Sequence, residues 1–314
     1  MIFSGAGFGF IFTAGVVVTA QQFDKWRTFA FGVTSCGIAT SNLLQPLLAS
    51  WLSTQFGWRG AFVLTGALIL NVCPAAMVIR LCSKDTSKVT DCSSIYDIAV
   101  NYDDENFNEK KIITEIETDY KPAASLWTLK YFVLHLNGFL FCFAQSVVFT
   151  HIVALVVSKG HSFNSALHLV STIGFFNIFG RIFLGLAARK NFCFSLASLF
   201  TLTYVSAGVS CLILAYTPSY AVSFILASII GFCMAAYGPV YSEYLCTIID
   251  PTDGNHFAHA YGILLVSLGV GTLFGAPFAG LLFDWTLCYK TSFIVSAVSL
   301  VLAGLVVYLP KLTK

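Results

Sequence analysis

A single arginine stands inside a long apolar run. Residues 166–188 read ALHLVSTIGFFNIFGRIFLGLAA, a stretch about as long as a bilayer is thick, with Arg181 within it. A guanidinium at the centre of a membrane helix costs roughly 2.5–3.5 kcal/mol on insertion scales, and intramembrane charges are functional by default. Arg181 lies eight residues before Arg189, about 12 Å deep at 1.5 Å per residue, which is too deep for easy snorkelling. A fixed charge with a planar, bidentate fork in a dry place suits a carboxylate.

One acid lies at matching depth. Glu243, in AAYGPVYSEYLCTIID, is the only acid well inside a predicted span, and Tyr237, Pro239, Tyr241 and Ser242 predict a kinked, polar-lined helix around it. Counted from Arg189 and Asp250, Arg181 and Glu243 both sit about 10–12 Å below the same surface. The sequence therefore predicts that they compensate one another, directly or through water, in at least one state. The competing reading of Glu243 is a structural carboxylate capping a neighbouring helix. Arg181, Asn177, Glu243, Tyr237 and Ser242 form the candidate substrate set. His135 and His151 are sixteen residues apart on one predicted span, too far to share a metal, and read as hydrogen-bonded bundle residues. Asn137 and Gln145 on that span are further candidates for a polar path, and Trp127 and Trp285 read as interfacial. The chain carries no phosphate-cradling glycine loop, no nucleophile–base pairing and no metal-ligand cluster, so no cofactor, no metal and no enzyme activity is expected.

These residues need helices to hold them. In the Arg181 run, Gly174, Asn177, Arg181, Gly185 and Ala188 recur three or four apart and form one stripe, while Phe175, Phe176, Phe179, Phe183 and Leu186 cover the rest. Small and polar residues suit a bundle interior, and phenylalanines suit lipid or packed neighbours. The whole chain follows this pattern: 57% of it is hydrophobic and 10% charged, which excludes an ordinary soluble domain. A net charge of +2 gives no reason to expect nucleic acid as a partner. Nine spans are predicted, at about 2–21, 29–51, 61–81, 131–157, 166–188, 193–216, 219–247, 258–283 and 290–310. Gly5, Gly9 and Gly15 in the first, and Gly271, Gly275, Ala276, Ala279 and Gly280 in the eighth, predict close helix packing. The cysteines, mostly within apolar runs, read as small buried residues.

The fold class expected is an all-α membrane protein. Residues 1–81 form one bundle segment, 82–125 an acidic, solvated linker, and 126–314 a six-helix bundle. Placing the linker inside the cell also puts Lys25, Arg27, Arg189, Lys190, Lys311 and Lys314 inside, with Arg59, Lys159 and Lys290 outside. The C-terminus is then cytoplasmic. Three spans, a linker and six more predict a two-bundle transporter lacking its first three helices.

Residues 22–37, Gln-Phe-Asp-Lys-Trp-Arg-Thr-Phe-Ala-Phe-Gly-Val-Thr-Ser-Cys-Gly, resemble the monocarboxylate transporter signature Y-F-x-K-R-R-x-L-A-x-G-x-A-x-A-G. Phe23, Lys25, Arg27, Ala30, Gly32 and Gly37 match, whereas Gln22, Trp26, Phe29, Thr34 and Cys36 depart. Gly57-Trp58-Arg59-Gly60 resembles that family's loop between its fifth and sixth helices. Gly275, Pro277, Gly280, Leu282, Asp284, Thr286, Tyr289 and Phe293 resemble the exit of its eleventh. The resemblance implies a major facilitator bundle of which this chain supplies the fourth to twelfth helices, carrying small organic anions by alternating access. It implies signature or gating roles for Lys25, Arg27, Gly32 and Gly37, and a substrate role for Arg181. Proton-coupled members of the family carry an aspartate where this chain has Asn177, and a lysine on a first helix that has no counterpart here. The expected partners are a small monocarboxylate-like anion and the lipid bilayer, with protons and a single-span accessory subunit left open. The expected location is the plasma membrane. The alternative from another class is a truncated, non-transporting membrane interaction protein.

Overall fold

The computed structural model describes residues 2–23, 26–72, 74, 128–188, 195–250 and 254–309. Among these the secondary structure is entirely helical. In chain order come α1 (Ile2–Gln22), α2 (Arg27–Leu70), α3 (Leu129–Ser158), α4 (Phe163–Ala187), α5 (Leu196–Tyr216) and α6 (Tyr220–Met234). A 3-10 turn, Ala235–Tyr237, leads to α7 (Pro239–Cys246), α8 (Gly254–Thr286) and α9 (Tyr289–Val306). Thr128, Ser162 and Ser195 start α3, α4 and α5, each side-chain oxygen accepting from the amide three residues on. The expected kink near Tyr237 is the 3-10 turn, after which Pro239 opens α7 where its missing N–H costs nothing.

Six described segments are long and apolar enough to cross a membrane: Leu129–Ser158, Phe163–Ala187, Leu196–Tyr216, Tyr220–Cys246, His256–Thr286 and Tyr289–Val306. Among the described residues the expected count of nine is not reached. In α1 the described apolar stretch Gly9–Gln22 is shorter than a span. The second and third predicted spans lie in α2, which is interrupted at Gly57 by φ 66°, ψ 174°. Residues 75–81 of the third predicted span, and the whole 82–125 linker, lie outside the described residues.

Two compact units divide the chain: Met1–Leu47 with Ser125–Lys314, and Leu48–Ala124. In the first, α3 packs against α8, α9 and α4; α5 packs against α9 and α6; α4 lies on α6; and α1 lies on α8. Phe141, Phe200, Tyr204, Phe257 and Phe293 fill the core with no exposed surface. Part of the small-residue expectation holds. A Cβ on Gly271 would fall 2.5 Å from the Phe139 carbonyl oxygen, and one on Gly275 would meet that of Phe143, so α8 touches the α3 backbone. Gly9, Gly15 and Gly280 face open space instead. The stripe on α4 is sorted as its spacing requires. Gly174, Asn177, Arg181, Gly185 and Ala188 are buried, while Phe175, Phe179, Phe183 and Leu186 are exposed. In the second unit, Leu48, Trp51 and Phe56 line a shared apolar groove with Leu64 and Leu68 beyond Gly57.

Candidate substrate site around Arg181

Arg181 is 2% exposed, on the face of α4 turned toward α2 and the 3-10 turn. The approach is close because both helices carry glycine. A Cβ on Gly32 would sit 2.6 Å from the Arg181 carbonyl oxygen, and one on Gly185 would sit 3.1 Å from that of Thr28. Gly32, expected in a gating role, is here the contact that seats α2 on the arginine. One turn back on α4, Asn177 orients the guanidinium. Arg181 Nε donates to Asn177 Oδ1 at 2.8 Å, and Asn177 Nδ2 donates to the Gly231 carbonyl in α6 at 2.8 Å. Nε can only donate and a carbonyl can only accept, so the amide has one consistent orientation.

The other end of the guanidinium is unsatisfied. Arg181 Nη1 is buried and has no hydrogen-bond partner among the described residues. It points to Gly238, where a Cβ would collide with it and would lie 2.5 Å from Ser35 Oγ. Only glycine leaves room there. In front of these atoms lies a cavity of about 420 Å³, whose wall includes Arg181, Tyr237, Gly238, Ser242, Ser35 and Asn42. Phe12, Phe31 and Tyr261 supply aromatic surface, and Gly37 also lies on the wall. No carboxylate lines the cavity among the described residues, so its one full charge is positive. Tyr237 is fixed from behind. Its ring stacks on Phe141 at 5.0 Å, and Phe141 stacks on Tyr204 at 4.8 Å.

The expected partnership of Arg181 with Glu243 is not formed in this conformation. Glu243 Oε2 accepts from Arg27 Nε at 3.2 Å, and Oε1 accepts from Arg27 Nη2 at 3.5 Å, with both side chains largely buried. The reason is register along the broken helix. Gly238 is the residue that touches Arg181, and Glu243 lies five residues on, about 7.5 Å further along the axis. The ion pair therefore ties α2 to α7 beyond the cavity. Lys25 lies outside the described residues.

Sequence reasoning missed Ser35, Asn42, Phe12 and Tyr261. A signal existed on α2: Thr34, Ser35, Ser41 and Asn42 recur at a seven-residue spacing, a polar stripe two turns long. Asn137 and Gln145 do not line the cavity, and Asn137 Nδ2 donates to the Ala303 carbonyl at 2.6 Å. Both histidines are hydrogen-bonded bundle residues: His135 Nδ1 pairs with Ser267 Oγ at 2.9 Å, and His151 Nε2 with the Ala276 carbonyl at 3.2 Å. Trp285 is 79% exposed at the end of α8, and Trp127 lies outside the described residues.

The bundle thus holds a buried cation at the wall of a cavity. The Major Facilitator Superfamily profile matches residues 1–254, so the chain belongs to that superfamily. Its curated relatives include monocarboxylate transporters. It is 26% identical to monocarboxylate transporter 14 of Mus musculus over 92% of this chain and 67% of that protein. It is 27% identical to monocarboxylate transporter 1 of Rattus norvegicus over 98% of this chain and 64% of that one. The chain thus spans about two thirds of the length of these relatives. Among solved structures, the Major Facilitator Superfamily transporter FucP in its outward conformation superposes with TM-score 0.62 at 13% identity, covering 94% of this chain and 70% of FucP. The proton:xylose symporter XylE gives TM-score 0.63 at 16% identity, covering 96% and 67%. These likenesses establish the fold.

Proposed function

We propose that the chain carries small organic anions bearing one carboxylate across the membrane by alternating access, with Arg181 as the carboxylate partner. The observation that carries this reading is Arg181 Nη1, buried at the wall of a cavity and, among the described residues, without a partner and with no acid beside it on that wall. Leaving a buried donor unmade costs about 1–3 kcal/mol, and more when it is charged, so an incoming carboxylate is favoured there. Ser35 and Tyr237 offer hydroxyls beside it, and Phe12, Phe31 and Tyr261 accommodate an apolar tail. The Arg27–Glu243 pair holds α2 against α7 in this conformation, and it opens when the cavity changes sides. Asn177 is neutral and engaged at both ends, so this pair of residues does not bring a proton with the substrate. The 82–125 segment and the C-terminus face the cytoplasm, and the membrane is the plasma membrane.

The test is uptake of a labelled small monocarboxylate into proteoliposomes holding the full chain. Uptake that is saturable, inhibited by other monocarboxylates and lost in Arg181→Ala supports the reading. Uptake unchanged in Arg181→Ala overturns the role of the arginine. Absence of any uptake, with correctly folded protein, would favour a membrane interaction protein.

A further inference from the structure

A second cationic cavity lies far from Arg181. It has a volume of about 490 Å³ and sits where the end of α3, the 217–219 loop and the turn between α8 and α9 meet. Two lysines line it, Lys159 and Lys290, with Tyr216, Phe283, Leu287 and Tyr289 forming much of the remaining wall. Both this cavity and the Arg181 site take a wall residue from α8, Phe283 here and Tyr261 there. These are twenty-two residues apart, or about 33 Å along the helix. The two sites are therefore separate.

Lys159 is held in place, whereas the Lys290 side chain is exposed. Lys159 Nζ donates to the Leu214 carbonyl at the end of α5, and the backbone N–H of Lys159 caps α3. Two residues on, His161 Nε2 donates to the Pro218 carbonyl at 2.9 Å and fastens the same loop. Lys290 stands in the first turn of α9, whose N-cap Cys288 makes no side-chain capping bond, so the amide end of that helix adds to the positive field. Leu287, at φ 51°, makes the turn that brings this helix start to the cavity. Stacking of Phe283 on Tyr289 at 4.1 Å closes the wall.

Nothing lining the cavity among the described residues balances the two charges. The remaining polar side chains on the wall are Ser158, Tyr216, Cys288 and Tyr289, and none of them is a carboxylate. His161 is occupied with Pro218, His151 lies behind the Tyr289 ring, and exposed Asp284 on α8 is not part of the wall. Burial, and then the charge of Lys290, draw Lys159 down to about 8 from its usual range. The two basic side chains share one wall.

We propose that this cavity binds one oxyanion between Lys159 and Lys290, either a free solute or the headgroup of an anionic lipid. The bound anion supplies the missing counter-charge at the membrane surface. Binding favours protonated Lys159, so the site loses affinity as pH rises past the Lys159 midpoint.

The experiment reads the acylation rate of Lys159 by an amine-reactive ester, with peptide mass spectrometry, in the full chain in vesicles. In phosphatidylcholine vesicles without oxyanion, Lys159 should react as a lysine with a midpoint near 8. Each unit by which a bound anion raises that midpoint slows acylation about tenfold at pH 7. Sulfate, titrated at fixed ionic strength, should slow the reaction saturably if the ligand is a free solute. Phosphatidylserine in the vesicles, without sulfate, should slow it if the ligand is a headgroup. In Lys290→Gln the basal midpoint should rise, because a like charge is gone, and the protection should disappear. Absence of protection by both sulfate and phosphatidylserine overturns the proposal, as does full protection persisting in Lys290→Gln.

Discussion

At the scale of single residues, Asn177 decides what Arg181 can do. Its oxygen takes Arg181 Nε and its nitrogen serves the Gly231 carbonyl, each at 2.8 Å. An aspartate in the same place keeps the first bond but turns an oxygen toward the carbonyl. Two acceptors then face one another unless a proton lies between them. Asn177→Asp is therefore expected to make uptake rise on acidification, while the parent chain shows a flat response; pH-stepped proteoliposome uptake measures the difference. An equal pH dependence in both proteins would contradict this role of Asn177. Arg181→Lys tests the fork. Lysine keeps the charge but cannot serve Asn177 and a carboxylate with a fixed planar geometry. Losing a hydrogen bond to a charged group costs about 1.5–3 kcal/mol, so apparent substrate affinity should fall about ten- to a hundredfold. At Gly238 the constraint is space. A Cβ there would meet Arg181 Nη1 and Ser35 Oγ, so Gly238→Ala should depress uptake while leaving the helical circular dichroism unchanged.

At the scale of elements, the Arg27–Glu243 pair is the polar tie between α2 and the half-helix α7. Taking Arg27 away leaves the largely buried Glu243 carboxylate without its bidentate cation, a loss that costs about 3–5 kcal/mol when a buried pair is broken. Arg27→Gln and Glu243→Gln should each lower Tm, and the double substitution should cost less than their sum. A coupling of about 0.5–3 kcal/mol is expected from the double-mutant cycle, and strict additivity would remove the pair from the account. This pairing shows where the sequence was legible and where it was not. The burial of Arg181, the stripe that carries it and the kink near Tyr237 all follow from local spacing, because helical periodicity fixes which residues share a face. The partner of Glu243 does not. Depth counted along an ideal helix put Glu243 level with Arg181, whereas the 3-10 turn sets Gly238 there and carries Glu243 past it. Arg27 is 216 residues away in sequence, and no local pattern announces that contact.

At the scale of the whole molecule, the first unit gathers α1 and the front of α2 with the 125–314 bundle. The cavity wall has the same composition: α2 gives Ser35 and Asn42, α4 gives Arg181, and the broken helix gives Tyr237, Gly238 and Ser242. A site assembled from both ends of the chain is hard to read from one dimension, which is why its α2 half escaped notice. The proposed sidedness rests on charge. Lys159 and Lys290 line one cavity, so the 159–162 loop and the turn before α9 lie at the same end of the bundle. We propose that this end faces outward, because the predicted inside loops carry six Lys and Arg, Lys25, Arg27, Arg189, Lys190, Lys311 and Lys314, against three outside. An odd number of predicted spans precedes residues 82–125, so the proposed orientation puts that segment inside. Its ten acidic residues make it a ready protease substrate once exposed. Protease added to intact cells should leave it uncut, and the same protease added after permeabilisation should divide the chain into a smaller N-terminal and a larger C-terminal fragment. Cleavage within 82–125 from outside, with the 159–162 loop protected, would invert the molecule and place the Lys159–Lys290 cavity in the cytoplasm.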